Sequence, residues 1–159
     1  MGFCQPAPSR AAGNVLIFDE DIEDLARRAE PFEAHGFDVH KCMSVETAMR
    51  SVEREEFEFA LVDQGSSVFE GRRVIRHLVR YNAYTPFVVV ARPREMVWRQ
   101  QALALGATDY LESPFPERRW IGLSNAISET RNELTRRRAT MICADNRIKN
   151  RKLSEGPRR

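Results

Sequence analysis

Three carboxylates stand where short apolar runs end, and their types and spacing could do chemistry. Asp19 and Glu20 follow one such run near the N-terminus, and Asp63 closes another. Carboxylates that lie close together repel one another unless a cation or protons relieve the repulsion. Mg²⁺ takes hard oxygen ligands of this kind, and a bound metal would neutralise an incoming phosphoryl group and leave one carboxylate as the nucleophile. The alternative is that Asp19 and Asp21 only cap the helix that comes next.

The elements that must position these carboxylates alternate between short apolar strands and amphipathic helices. The predicted strands cover residues 15–18, 37–42, 59–62, 87–90 and 108–111. The predicted helices start near Ile22, cover 45–54, centre on 74–79, cover 96–105 and start near Glu117. Short runs that are apolar throughout are typical of strands buried on both faces of a parallel sheet. The pattern therefore predicts an α/β fold with a doubly wound, five-stranded parallel sheet.

In a doubly wound sheet the working site lies at the carboxyl ends of the strands, and this rule places Asp19, Asp63 and Ala91 close to one another. The first helix should pack through residues spaced three and four apart, and Pro31 should kink it or end it early. The residues at that spacing are Ile22, Leu25, Ala26, Ala29 and Phe32. Ser44 is the expected N-cap of the second helix.

The composition excludes several classes of protein. With 42% hydrophobic and 30% charged residues among 159, the chain has the make-up of one globular domain, and its longest strong apolar run, 87–91, is far shorter than the ~20 residues of a membrane span. Cys4, Cys42 and Cys143 lie far apart, which fits reduced thiols in the cytoplasm better than disulfides or zinc. The sequence offers no nucleophile–base set and no Gly-rich phosphate loop, so neither an independent enzyme nor a dinucleotide fold is expected.

Charge is distributed unevenly along the chain. Residues 1–116 carry 13 Lys/Arg and 18 Asp/Glu, whereas residues 117–159 carry 12 Lys/Arg and 5 Asp/Glu. A basic tail of this kind is either a polyanion-binding segment or a solvated extension. In this part apolar residues recur every seven positions, but the companion position of the heptad is only partly apolar. A long helix is therefore expected, and pairing with another subunit is the alternative. Those residues are Trp120, Ile127, Leu134, Met141 and Ile148.

Four segments, in this order, resemble the receiver domain of response regulators between about Asn14 and Ile127. They are Val15-Leu16-Ile17-Phe18-Asp19-Glu20-Asp21; Ala60-Leu61-Val62-Asp63 followed by Glu70-Gly71; Gly106-Ala107-Thr108-Asp109-Tyr110-Leu111; and Pro114-Phe115. Each segment alone is weak evidence, whereas four at the family's spacing are specific. The resemblance implies a flavodoxin-like receiver fold and a place in two-component phosphorelay signalling.

The resemblance also implies roles for particular residues. Asp63 would accept a phosphoryl group from a histidine kinase or phosphotransfer protein. Asp19, Glu20 and Asp63 would bind Mg²⁺, with the backbone carbonyl of Gly65 as a further ligand. Tyr110 stands where the family has an aromatic residue that swings inward on activation.

The sequence departs from the family at two switch positions. Ala91 stands where the family has a Thr or Ser whose hydroxyl bonds the phosphoryl group. Ser113 stands where the family has a lysine that pairs with the phosphoryl group and the aspartate. A charge-assisted hydrogen bond is worth roughly 1.5–3 kcal/mol, so these losses should weaken phosphorylation and its read-out. Arg92 is a candidate replacement cation, and the alternative is that it is a solvated loop residue.

The predicted organisation is a disordered leader over 1–13, a receiver domain over 14–129 and a basic helical extension and tail over 130–159. The leading hypothesis is a stand-alone, atypical cytoplasmic receiver that is phosphorylated at Asp63 with Mg²⁺ and acts on a downstream protein partner. A homodimer is left open, and no membrane partner is expected. One alternative is a pseudo-receiver that works as an adaptor or dimerisation module without phosphorylation. A further alternative, less favoured, is a regulator that binds nucleic acid through its tail.

Overall fold

The computed structural model describes residues 13–65, 68–92 and 98–116, together with residues 119, 122, 123, 126 and 129. By its internal contacts the chain divides into two units, Met1–Ser124 and Asn125–Arg159. Within the second unit Ala126 and Glu129 are described, and both are helical. Most of the predicted leader, the predicted helix start at residue 117 and the basic extension lie outside the described residues, so these predictions stay predictions.

Strands and helices alternate along the described part of the first unit. The strands are β1 (Asn14–Phe18), β2 (Asp38–Cys42), β3 (Phe59–Asp63), β4 (Phe87–Ala91) and β5 (Asp109–Glu112). The helices are α1 (Ile22–Ala34), α2 (Val45–Arg54), α3 (Gly71–Tyr81) and α4 (Arg99–Ala104). The alternation is as predicted. β1, β3 and β4 are each one residue longer than predicted, β2 starts one residue later and β5 is shifted by one residue, while α4 is shorter than the predicted 96–105. None of the described helices is long and apolar enough to span a bilayer.

All five strands pair in parallel, in the order β2-β1-β3-β4-β5. Phe18 lies beside Val62, and Asp63 lies beside Val90. The strand ends that carry Asp19 and Asp63 are therefore level with each other. The strand order reverses between β1 and β3, and in open α/β sheets such a reversal opens a crevice at the carboxyl ends of the strands. The predicted doubly wound, five-stranded parallel sheet is confirmed, and its strand order is flavodoxin-like.

The central strands are buried on both faces. Every residue of β3 and β4 is buried, as are the last four residues of β1. Because successive side chains of a strand point to opposite faces, a strand covered on both faces needs apolar residues throughout. Asp63 is therefore a carboxylate at the end of a strand that is otherwise entirely apolar.

Helix α1 carries an amphipathic stripe that includes a charged residue. Its N-cap is Asp21, whose Oδ1 accepts from the backbone N–H groups of Glu23 at 2.9 Å and Asp24 at 3.1 Å. The side chains on the buried face of the helix are those of Leu25, Arg28, Ala29 and Phe32. Ile22, which the spacing assigned to this face, is 64% exposed. The buried stripe is therefore rotated relative to the predicted one, and it places Arg28 in the interior.

Two local predictions about helices have different outcomes. Ser44 caps α2, since its hydroxyl accepts from the backbone N–H of Thr47 at 3.2 Å. Pro31 does not end α1 early, because the helix continues to Ala34. Proline costs most where it removes a hydrogen bond from a long helical interior, and here only three helical residues come after it.

Gly71, the first residue of α3, lies against the end of β3. A Cβ added to Gly71 would collide with the backbone carbonyl oxygen of Asp63 and lie 3.0 Å from Cγ1 of Val62. A backbone atom cannot turn aside as a flexible side chain can, so Gly71→Ala should push α3 away from β3. We expect the free energy of unfolding in urea to fall by about 3 kcal/mol. Gly122→Ala is the control, because nothing lies within 4 Å of that added Cβ; equal stability of the two variants would contradict the prediction.

Candidate functional site

The pairing of β1 with β3 brings Asp19 and Asp63 together at the carboxyl edge of the sheet. Both are buried, with 1% and 3% of their surface exposed. Asp19 is fixed by its backbone N–H, which donates to the carbonyl of Cys42 at 3.0 Å, and by its Oδ1, which accepts from the N–H of Asp21 at 2.9 Å. Glu20, the third residue that was expected to bind a metal, is exposed.

Arg28 of α1 lies between the two aspartates. Its Nη1 is 2.5 Å from Oδ2 of Asp19 and 2.9 Å from Oδ1 of Asp63. Its Nη2 is 3.9 Å from Oδ2 of Asp24 and has no hydrogen-bond partner among the described residues. The arginine is only 4% exposed. One buried guanidinium thus faces three carboxylates.

The second oxygen of Asp63 is also engaged. The backbone N–H of Gly65 donates to Oδ2 of Asp63 at 2.8 Å, two residues along the chain. This tight turn requires a φ of 83° at Gly65, in the left-handed region that glycine adopts without strain. Each oxygen of the predicted phosphoacceptor therefore has an N–H donor within 3 Å.

The single positive charge of Arg28 does not neutralise all the carboxylates of this cluster. Burial raises the pKa of Asp19 from its ordinary value of 3.8 to about 6. The guanidinium of Arg28 and the hydrogen bond from Asp21 oppose this shift, while the charges of Asp63 and Asp24 add to it. A single cation shared by several buried carboxylates leaves one of them with a reduced tendency to ionise.

The same arrangement decides whether the residues suit Mg²⁺. The guanidinium of Arg28 fills the space between Asp19 and Asp63 that a bridging cation would need. Within the ranges that the structure describes, no three His, Cys, Asp or Glu side chains converge on a point that could hold a metal ion. The side chains as they are arranged here, with Glu20 turned to solvent, do not fit a divalent cation.

The two switch positions lie at the ends of neighbouring strands. Ala91 is fully buried and ends β4, and Ser113 is half-buried just after β5. The backbone N–H of Ser113 donates to the carbonyl of Ala91 at 2.8 Å. Arg92 is exposed. Its charge acts on Asp21, whose pKa is lowered mainly by the backbone N–H groups that its carboxylate accepts and only secondarily by Arg92.

Tyr110 of β5 points into the protein. It is 5% exposed, and its hydroxyl donates to Oε1 of Gln64, whose side chain is 1% exposed. Gln64 directly follows Asp63, and its backbone N–H donates to the carbonyl of Val90 at 2.7 Å. The aromatic residue at the predicted switch position is therefore tied to the end of the strand that carries Asp63.

Tyr110→Phe should lower the free energy of unfolding by about 1–2 kcal/mol, since it keeps the ring and removes the hydroxyl that bonds a buried amide. Urea unfolding at neutral pH measures the change. The matched control is Tyr84→Phe, which removes the hydroxyl from a side chain that is 99% exposed and should change little. A loss for Tyr110→Phe no larger than that of the control would show that the contact with Gln64 adds no stability.

The class of this protein follows from its similarity to known proteins. The sequence matches the family model of the response regulator receiver domain over residues 15–123, which is more than half of the chain. The chain belongs to the response-regulator receiver family, the signalling domains of two-component systems.

Several solved structures share the fold at low sequence identity. NtrX from Brucella abortus, solved with ADP, superposes with a TM-score of 0.68 at 17% identity, over 83% of this chain and 29% of that one. The receiver domain of AraT from Geobacillus stearothermophilus gives 0.68 at 17% identity, over 78% and 98% of the two chains. A response regulator from Burkholderia pseudomallei, with a phosphorylated aspartic acid, a calcium ion and citrate, gives 0.60 at 22% identity, over 84% and 85%. The chain thus spans less than a third of NtrX and nearly the whole of the AraT domain.

Arg28 is the residue of the site that the sequence analysis missed. A signal for it exists, because Leu25, Arg28, Ala29 and Phe32 have the three- and four-residue spacing of one helical face. An arginine inside such a stripe is expected to have a buried carboxylate as its partner. The acidic strand ends supply that partner.

Proposed function

We propose that this receiver domain acts by binding protein partners in two-component signalling, and that Asp63 does not take up a phosphoryl group by the Mg²⁺-dependent route. The observation that carries the proposal is the contact of Arg28 with both Asp19 and Asp63. It supports the hypothesis of a pseudo-receiver adaptor over that of a phosphoacceptor.

Two features of the site oppose nucleophilic attack by Asp63. To attack phosphorus, an oxygen of Asp63 must reach the donor, yet Asp63 is only 3% exposed and Nη1 of Arg28 lies 2.9 Å from its Oδ1. The developing charge on the transferred group must also be met by cations or donors aimed at it. Here the cation position between the aspartates is taken by Arg28, and Ala91 offers only a methyl group.

A second candidate is the Mg²⁺-dependent phosphoacceptor with a histidine kinase or phosphotransfer protein as its donor. Its support is the family membership, the position of Asp63 at the switch point of the sheet and the adjacent carboxylate of Asp19. The related Burkholderia pseudomallei protein carries a phosphorylated aspartic acid together with a calcium ion. In this chain the same chemistry would require Arg28 to leave Asp63 first.

The test is to incubate the protein with Mg²⁺ and a small phosphodonor such as acetyl phosphate and to follow its intact mass. We expect no gain of a phosphoryl group by the wild type under conditions that fully modify a receiver with a functional site. Asp63→Ala is the control for the site of any addition. A gain of one phosphoryl group that is absent in Asp63→Ala would refute the adaptor proposal and establish the phosphoacceptor.

The surface for the partner remains a prediction. One candidate surface is the face of the predicted fourth helix, β5 and the helix predicted to start near Glu117, with Met96, Trp98, Tyr110 and Trp120. Of these, Tyr110 is buried, and Trp98 is half-buried and stacks on Phe69 with ring centroids 6.2 Å apart, so both serve packing. Met96 and Trp120 lie outside the described residues. The stand-alone state, a homodimer and nucleic-acid binding by the tail likewise stay predictions.

A further inference from the structure

We infer that Arg28 takes the place of a divalent cation in this receiver, and that the pocket of Asp19 and Asp63 becomes a divalent-cation site only when the guanidinium is removed. The inference rests on the proposed function, because both start from the cluster around Asp63. It goes further by assigning a latent metal site and the single residue that closes it.

Arg28 contacts the two aspartates through a single nitrogen atom, as a compact cation would. An arginine that recognises a carboxylate commonly uses two parallel N–H groups, one to each oxygen. Here Nη1 alone contacts both Asp19, at 2.5 Å, and Asp63, at 2.9 Å. The contact to Oδ2 of Asp19 is an ion pair without hydrogen-bond geometry. One positive atom that bridges oxygens from two strands does what a bound metal ion does.

The position of Arg28 on its helix points the same way. The neighbouring positions on the buried face of α1 are Leu25, Ala29 and Phe32, which pack without any charge. A guanidinium on such a face is costly unless carboxylates compensate it. Asp19 and Asp63 provide that compensation, so the charge serves the aspartates rather than the packing of the helix.

Without the guanidinium, the carboxylates of Asp19 and Asp63 would have no cation between them. Asp19 and Asp63 would face each other across the vacated space, with Asp24 on the rim of the same cluster. Buried like charges at this range repel strongly, and a divalent ion relieves the repulsion while oxygen ligands suit it. The ligands of this site would be Asp19 and Asp63, and Glu20, which is exposed, is not needed.

The competing explanation is that Arg28 only ties α1 to the sheet. Both explanations predict that its removal destabilises the fold. They differ in the metal binding of the variant, because the loss of a merely structural tie leaves no site for a metal, whereas the loss of a cation substitute leaves one.

The experiment measures binding of Mn²⁺, as a paramagnetic probe, to the full-length wild type and to Arg28→Met by electron paramagnetic resonance at 10 °C. We expect one Mn²⁺ per chain in Arg28→Met, with a dissociation constant about tenfold or more below that of the wild type. Mg²⁺ should displace it and should raise the melting temperature of the variant but not of the wild type. Arg73→Met, which removes a charge that is 62% exposed and pairs with Glu46 outside the cluster, is the control and should behave as wild type.

Three outcomes would decide against the inference. These are equal Mn²⁺ binding by wild type and Arg28→Met, no binding by a folded Arg28→Met, or binding that survives in Arg28→Met/Asp63→Asn. If Arg28→Met does not fold, Arg28→Gln replaces it; if neither folds alone, recovery of structure in Mn²⁺ supports the inference and its absence refutes it. The two proposals can fail separately. If the wild type accepts a phosphoryl group yet binds Mn²⁺ tenfold more weakly than Arg28→Met, the proposed function is refuted and this inference is supported.

Discussion

Replacement of Arg28 by methionine should lower the free energy of unfolding by about 3–5 kcal/mol, measured by urea unfolding at pH 7.5 without divalent cations. The reason is that Asp19 and Asp63 stay buried while the cation that faces both of them is lost. Methionine has a similar length and can fill much of the space among Leu25, Ala29 and Phe32, so the loss reports charge more than volume. This is a large part of the stability of an ordinary domain.

Two further variants test whether the loss of stability in Arg28→Met arises from the ion pairs with Asp19 and Asp63. Arg27→Met removes an exposed partner of Asp24 and should cost no more than about 1 kcal/mol. Asp19→Asn/Asp63→Asn should recover much of the stability when it is added to Arg28→Met, because neutral amides do not need the cation. A loss below about 1 kcal/mol for Arg28→Met would mean that the buried aspartates do not depend on the guanidinium.

Stability should also depend on pH through Asp19. Its pKa rises from 3.8 to about 6 on folding, chiefly because the carboxylate is buried. Between these two values the folded state holds the proton more tightly than the unfolded state does, so the contribution of Asp19 to stability is present at low pH and is lost as the pH rises through about 6. We expect this contribution to fall by about 2 kcal/mol between pH 4.5 and pH 6.5.

The measurement is urea unfolding of wild type and Asp19→Asn at several pH values across this range. Most carboxylates of the protein act in the opposite direction on acidification, so the quantity of interest is the difference between the two proteins. The stability of the wild type relative to Asp19→Asn should decrease as the pH rises. Parallel pH profiles would show that the folded protein does not shift the ionisation of Asp19.

The fold could be predicted because its strongest signal is local. Runs such as 59–62 and 87–90 are apolar throughout, short and rich in β-branched and aromatic residues, which favours strands covered on both faces. Strand alternation with helices then leaves few topologies. The boundary of β5 differs from its prediction by one residue, and α1 continues past Pro31, because hydrogen bonding and packing rather than single-residue preference decide where elements end.

The site could be predicted only in part. Strand order is enough to bring Asp19 and Asp63 to one edge of the sheet, since both directly follow or end buried parallel strands. It does not determine where Glu20 points, and the side chain of the residue after Asp19 is turned to solvent. Arg28 was missed because it lies nine residues after Asp19 and because the apolar residues alone predict the wrong buried face for α1. That prediction buries Ile22, whereas in the structure Ile22 is exposed and Arg28 is buried.

The hydrogen bond from Tyr110 to Gln64 ties β5 to the residue that directly follows β3, although β4 lies between the two strands. In the described sheet β5 pairs with β4 alone, and a strand at such an edge ordinarily frays at little cost. Here β5 cannot peel away without breaking a buried contact to the central strand. Amide protons of β5 should therefore exchange more slowly in the wild type than in Tyr110→Phe.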